Sequence, residues 1–228
     1  MKIKSILITL LSGIVAGAFI GFGGFLNVMS ISLLGGVGMV IGALVFSVGL
    51  ILVCFTGVKL YTGRIGYVID KSESKLSVRI LDLVIMFIGN IIGAAVIGIF
   101  AALIAKDTIS TTILNIMSTK SGFQAHDVII RSFLCGVMVF LSVALFKKFT
   151  NEVAKLILVA IPVFVFVLLG FEHCVANGFY YAAGLMCGAE ATPAFIGMMF
   201  VNVLATAIGN SCGSIVSNLI KKAVIVNG

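Results

Sequence analysis

Leu169-Gly170-Phe171-Glu172-His173 interrupts an apolar run that otherwise extends over residues 153–188. An ionisable group inside a membrane span costs at least ~2.5 kcal/mol on insertion scales, so adjacent glutamate and histidine at this depth mark a functional position. Irregular backbone is tolerated there only where protein buries it or a watery cavity meets it. The stretch therefore predicts a broken helix on a solute path.

Outward from the break the chain is apolar almost throughout. Of its 228 residues 61% are hydrophobic and 10% charged, with mean hydropathy +1.28, against about 25% charged in ordinary soluble domains. No solvated surface can be built from that composition. Crossing a ~30 Å hydrocarbon core takes ~20 apolar residues, and six segments qualify: roughly 6–34, 38–58, 80–105, 128–146, 153–188 and 194–220. The expected fold is all-α, one transmembrane domain over residues 1–228.

Lysine and arginine in short loops stay on the cytoplasmic side. With the amino terminus inside, the inner segments hold Lys2 and Lys4, then Arg64, Lys71, Lys75 and Arg79, then Lys147, Lys148 and Lys155, then Lys221 and Lys222. One outer loop holds Lys106, Lys120 and Arg131, and the other two hold none. Both termini are expected to be cytoplasmic, in the cell (inner) membrane. The net charge of +7 follows from this sidedness, without a nucleic-acid partner. Met1-Lys2-Ile3-Lys4 followed by Ala16-Gly17-Ala18 has the outline of a cleaved leader. Hydrophobicity continues to Leu34, however, and the charge alternation works only if the segment is retained.

The five cysteines, Cys54, Cys135, Cys174, Cys187 and Cys212, show no C-x-x-C spacing and read as small core residues. One histidine and one glutamate cannot fill a coordination shell, so neither a metal nor a cofactor is expected.

Transporter folds are often built from two inverted halves. Ile88-Gly89-Asn90-Ile91-Ile92-Gly93-Ala94 matches Ile208-Gly209-Asn210-Ser211-Cys212-Gly213-Ser214, and Gly57-Val58-Lys59-Leu60 resembles Gly170-Phe171-Glu172-His173. Three spans per half is an odd number, so the second half must run inverted, with the second and fifth spans interrupted. The I-G-N-x-x-G pattern itself reads as a helix-packing face. Lys59 and Glu172 then hold matching positions with opposite sign. Glu172 is expected to bond backbone amides freed beside Gly170. His173 is the only histidine within a span, and the ordinary titration of an imidazole near neutrality suits proton handling.

Gly170-Phe171-Glu172-His173-Cys174-Val175-Ala176-Asn177 resembles the G-F-E-H-x-x-A-N signature of the formate/nitrite transporter family, whose members conduct small monovalent anions. Leu60-Tyr61-Thr62-Gly63 resembles the family's L-F-T-G loop, Asn202 with Ile208-Gly209-Asn210 resembles its ending, and Arg131 to Cys135 fits the start of its fourth span. The resemblance implies an aquaporin-like inverted repeat in a homopentamer, each subunit with its own pore. It implies one hydrophobic slit of Leu50, Leu60 and Phe166, another of Phe46 with Tyr61, Thr62 and His173 between them, Asn210 nearby, and Lys120 as a vestibule lysine. Two residues depart from the family pattern: Lys59 stands for the usual glutamate and Gly136 for the usual asparagine.

A bare anion crossing rings of Leu, Phe and Tyr loses its hydration without replacement hydrogen bonds, whereas a neutral acid loses far less. The expected cargo is an anion of the formate, nitrite or hydrosulfide class moving with a proton. A neutral-solute channel is the nearest alternative, although paired N-P-A turns are absent and the prolines are Pro162 and Pro193. An acid/base enzyme is disfavoured, because adjacent helical residues point ~100° apart.

Overall fold

The computed structural model describes residues 3–225; Lys2, counted above in the amino-terminal flank, lies outside them. Regular structure among the described residues is helical. It comprises α1 (Ile3–Thr56), α2 (Tyr61–Arg64), a 3-10 turn (Ile65–Ile69), α3 (Leu76–Ser121), α4 (Ala125–Lys148), α5 (Glu152–Leu168), α6 (Cys174–Cys187) and α7 (Pro193–Ile225). Four helices, α1, α3, α4 and α7, are each long and apolar enough to cross a membrane.

The segments expected at 6–34 and 38–58 run together as α1, whose 54 residues would reach ~80 Å if straight. Gly35, at φ 57° and ψ −129°, turns the chain back on itself. The two arms then pack through glycines: Gly38 lies on Ser30 and Ile31, Gly42 on Asn27, Gly23 on Phe46, and Gly49 on Phe19 and Ile20. Those partners pair in antiparallel register, and a side chain at Gly38 or Gly42 would meet backbone.

α3 extends beyond the expected span. A bend at Ala105 coincides with the predicted end, but residues 106–121, read from sequence as loop, remain helical. Buried Ile109, Ile113, Met117 and Lys120 recur at helical spacing and form one inward stripe. Threonines and β-branched residues in this stretch hide that periodicity. Met117 packs against Gly184 of α6, so the extension covers a helix too short to span the molecule. Lys106 and Lys120, expected in an outer loop, therefore sit on a helix, and Arg131 lies in the first turns of α4.

α6 is the centre of the core. Every residue from Cys174 to Tyr181 is buried, as expected for a helix surrounded by others rather than facing solvent or lipid on one side.

Candidate substrate path

Two non-helical segments, residues 57–60 between α1 and α2 and residues 169–173 between α5 and α6, create the site. Each begins at a glycine in the left-handed region, Gly57 at φ 72° and Gly170 at φ 65°. At α5 the ending is a Schellman cap, in which the Phe171 amide donates to the Phe166 carbonyl (2.9 Å) and the Gly170 amide to Val167 (3.1 Å). Arg131 Nη1 donates to the Gly170 carbonyl at 3.0 Å.

Two asparagines complete the accounting of backbone groups. Asn90 Oδ1 accepts from the Tyr61 amide (2.7 Å), and its Nδ2 donates to the carbonyls of Gly13 (2.8 Å) and Lys59 (3.0 Å). Asn210 Oδ1 accepts from the Cys174 amide (3.0 Å), and its Nδ2 donates to the carbonyls of Ser132 (2.7 Å) and Glu172 (2.9 Å). Each asparagine thus starts one short helix, holds the carbonyl just before it and ties both to a long helix. The helix-packing role read for I-G-N-x-x-G covers only its glycines: Gly93 lies on the Ile14 carbonyl and Gly213 on that of Phe133. Asn210, expected near the path, is fully buried and has its amide engaged by backbone.

His173 is the N-cap residue of α6. Its Nδ1 accepts from the Ala176 amide at 3.2 Å, and its Nε2 lies 3.0 Å from Thr62 Oγ1. A ring nitrogen accepting a backbone N–H carries no proton, so the neutral ring bears its hydrogen on Nε2, toward Thr62. Phe166 stacks on the imidazole with ring centroids 5.8 Å apart and planes 19° from parallel. Phe46 meets Phe166 edge-on at 5.9 Å.

The grouping into slits therefore differs from expectation. Phe46 and Phe166 stand together beside His173, whereas Tyr61 turns away. Its ring packs on Phe87 at 5.0 Å and its hydroxyl bonds Ser211 at 2.7 Å. A buried phenol needs a hydrogen-bond partner, and α7 supplies one. Leu50 and Leu60 are buried in the same core cluster as Phe46 and Phe166.

Glu172 does not answer the amides beside Gly170, because the Schellman bonds and Asn210 already occupy them. Its carboxylate instead pairs with Lys120 and accepts from Asn177 Nδ2 at 2.8 Å. Lys120 is buried, with Nζ 5.5 Å from the Tyr180 ring. Nor do Lys59 and Glu172 neutralise each other. Lys59 Nζ bonds Thr9 Oγ1 at 2.6 Å and Asp82 at 3.4 Å. The sequence does not assign Asn90, Arg131, Asp82 or Asn177 as partners at the breaks; the repeat marks Asn90 and the family resemblance marks Arg131 and Asn177, but nothing local marks Asp82.

Two cavities approach this centre from opposite ends. One, of about 520 Å³, includes Ser5, Leu60, Arg64 and Lys147 in its lining. The other, of about 400 Å³, includes Ile31, Phe46, Lys120, Phe166, Glu172 and His173. Ser5 and Ile31 sit near opposite ends of the first arm of α1, ~39 Å apart at helical rise. Thr62, buried and bonded to His173, follows Leu60 by two residues.

Four helices long and apolar enough to cross a membrane, with cavities approaching a buried histidine from opposite ends, fit a multi-pass membrane transporter. The chain belongs to the formate/nitrite transporter family, whose sequence profile matches residues 2–221. That is a family of channels and transporters and not of enzymes. Among curated relatives, the chain is 34% identical to the uncharacterized transporter YrhG of Bacillus subtilis, over 94% of this chain and 84% of that one. It is 29% identical to a probable formate transporter of Methanothermobacter thermautotrophicus (87% and 81% covered) and 28% identical to the formate channel FocA of Haemophilus influenzae (81% and 68%). Its fold matches a solved pentameric formate channel with formate bound, with TM-score 0.79 at 24% identity over 99% of this chain and 98% of that one.

Proposed function

We propose that the whole chain is one channel domain that crosses the membrane six times as two inverted three-helix repeats, with the second and fifth crossings broken at residues 57–60 and 169–173. Five copies assemble, each with its own path, in the inner membrane with both termini cytoplasmic. The cargo is a small monovalent anion of the formate, nitrite or hydrosulfide class. The observation that carries this reading is the position of His173: it lines one cavity and bonds Thr62, with Leu60 of the opposite cavity two residues away. Relatives described as formate channels support the cargo class.

Phe46, Phe166, Leu50 and Leu60 offer an ion no replacement for its hydration, so a charged formate pays a penalty that formic acid avoids. The anion enters the cavity beside Lys120, accepts a hydrogen bond from the Nε2–H of His173, takes up a proton from hydronium in the cavity water while held there, and passes Leu60 as the neutral acid. The ring stays neutral throughout, and its role is to hold the anion where that proton transfer occurs. Thr62 holds the imidazole edge toward the path, and Asn210 and Arg131 hold the backbone from which it projects.

The test is formate flux into proteoliposomes at several pH values, comparing the native chain with His173→Phe. The variant should assemble normally, and the acid-stimulated part of the flux should disappear. An unchanged pH profile would exclude the proton-handling role.

A further inference from the structure

The cavity on the side of the chain termini carries cations that the permeation path does not use. Arg64 and Lys147 line it together with Tyr67. Lys147 Nζ sits 3.9 Å from the Tyr67 ring centroid, and Lys221 Nζ sits 5.9 Å from the same centroid. The two ammonium groups are therefore no more than about 10 Å apart. Arg64 and Lys221 both act electrostatically on Lys147. Among the described residues none of the three has a carboxylate within ion-pair distance. Asp70, which acts on both Lys147 and Lys221, is itself paired with Lys222 at 2.6 Å. The buried Tyr67 hydroxyl also lacks a hydrogen-bond partner.

The opposite cavity is built differently. Its lysine, Lys120, is buried and paired with Glu172, so that ion pair is neutral overall. One mouth thus presents three cations without an ion-pair partner, answered in part by Asp70, and the other a closed pair. A monovalent anion would leave most of that charge unanswered, whereas a di- or trivalent oxyanion matches it. Such an ion cannot follow formate past buried Leu60, because no single proton makes it neutral.

We infer that Arg64, Lys147 and Lys221 form a binding site for a polyvalent oxyanion of the phosphate or pyrophosphate type at the terminal-side mouth, and that its occupancy blocks the path from that side only. The inference rests on the proposed conduction of formate. The channel would then stop conducting when polyanions are present in that compartment and be indifferent to those in the other.

The test uses the full chain in planar bilayers carrying formate current, with pyrophosphate added to one side at constant ionic strength. Block is expected from the terminal side alone. In Arg64→Gln/Lys147→Gln/Lys221→Gln the concentration for half-block should rise about tenfold, in line with the 10–10³-fold effects of focused charge. Lys148→Gln, the loss of one charge on a neighbouring exposed residue, should leave it unaltered. Equal block from both sides, no block, or a Lys148 effect as large as that of the triple variant would overturn the site. A lipid phosphate could supply the same chemistry. Block that persists when phosphatidylglycerol is added to a phosphatidylcholine bilayer supports a soluble ligand, and block abolished by that lipid overturns it. A native chain that carries no formate current would instead refute the function on which the inference rests, and the triple variant's unblocked current reports that it is folded.

Discussion

The breaks at residues 57–60 and 169–173 share a backbone and differ in almost every side chain that matters. Both start at a left-handed glycine, and both are closed by an asparagine making the same three hydrogen bonds. The residue that opens the following short helix is Leu60 in one and His173 in the other. The residue before it is Lys59, whose pair with Asp82 is 24% and 29% exposed, or Glu172, whose pair with Lys120 is 2% and 9% exposed. Irregular backbone in an apolar interior must have its donors and acceptors satisfied, and that demand is the same in both halves. Chemistry enters only where the halves diverge. At the equivalent position one break has a leucine and the other an imidazole.

The sharpest way to break this equivalence is to remove the asparagines. Asn90→Ala and Asn210→Ala each orphan one amide and two carbonyls, at about 1–3 kcal/mol per buried group. Each variant should lose about 5 kcal/mol, seen as a collapse in the yield of assembled protein and in its thermal midpoint in detergent. Losses of similar size are expected in the two halves. If one variant were tolerated, the shared backbone would not be a shared requirement.

The ion pairs should behave unequally. Glu172→Gln leaves the buried Lys120 ammonium without its carboxylate, a change that costs about 3 kcal/mol or more. Asp82→Asn loosens a partly exposed pair, and such pairs contribute about 0–1 kcal/mol. Thermal unfolding of the two variants side by side measures the difference. A Lys120→Met/Glu172→Gln double variant should recover part of the first loss, because neither charge is then stranded. Equal effects for Glu172→Gln and Asp82→Asn would mean that burial does not separate the pairs.

The likeness of the two halves was legible in the residues because backbone constraints write themselves in glycine and asparagine. Gly57 and Gly170 announce the breaks, and Asn90 and Asn210 recur with the same flanking glycines. The functions of those asparagines were not legible, since a polar residue between two glycines reads equally well as helix glue. Ring directions were hidden for a different reason. Tyr61 turns toward Ser211 because of a hydroxyl on α7 far away in sequence, and no local pattern records that. Glu172 finds Lys120 because α3 bends at Ala105 and continues, and Lys59 finds Thr9 and Asp82 through the packing of α1 on the start of α3. Its extension escaped notice because threonines and β-branched residues masked a helical stripe.

Close packing offers a gentler test. Gly17 of α1 lies against the Asn90 carbonyl, and Gly136 of α4 against that of Asn210. A methyl group at either position would collide with backbone that the asparagine already fixes. Gly17→Ala and Gly136→Ala should each cost about 2 kcal/mol through overpacking. The thermal midpoints should fall by similar amounts, and Gly197→Ala, which meets nothing, should be neutral. A drop confined to one half would show that only one asparagine is clamped.

The smallest effect concerns the element in which the halves differ most in length. α6 has 14 residues, whereas α2 has four and continues as a five-residue 3-10 turn. That shorter element is held to α7 from outside: Asn218 Nδ2 donates to the Gly66 carbonyl at 2.9 Å and to Asp70 Oδ1 at 2.7 Å, and Lys222 pairs with Asp70. Partial burial pushes the Asp70 carboxyl up, but the bonds from Lys222 and Asn218 outweigh it and hold the group below the ordinary carboxylate range. A carboxylate depressed in the folded state contributes stability that is fully present above its unfolded value, about 3.9. The contribution is lost as pH falls through the lower folded value. Asp70→Asn should therefore lower the thermal midpoint by about 1–2 °C at neutral pH, given the modest worth of an exposed pair, and the gap should close once the pH falls below the depressed value of the folded carboxyl. Because this latch serves α2 and not α6, Asp70→Asn should leave the His173-dependent pH profile of formate flux where it is. A shift of that profile would mean that the two breaks are coupled through α7.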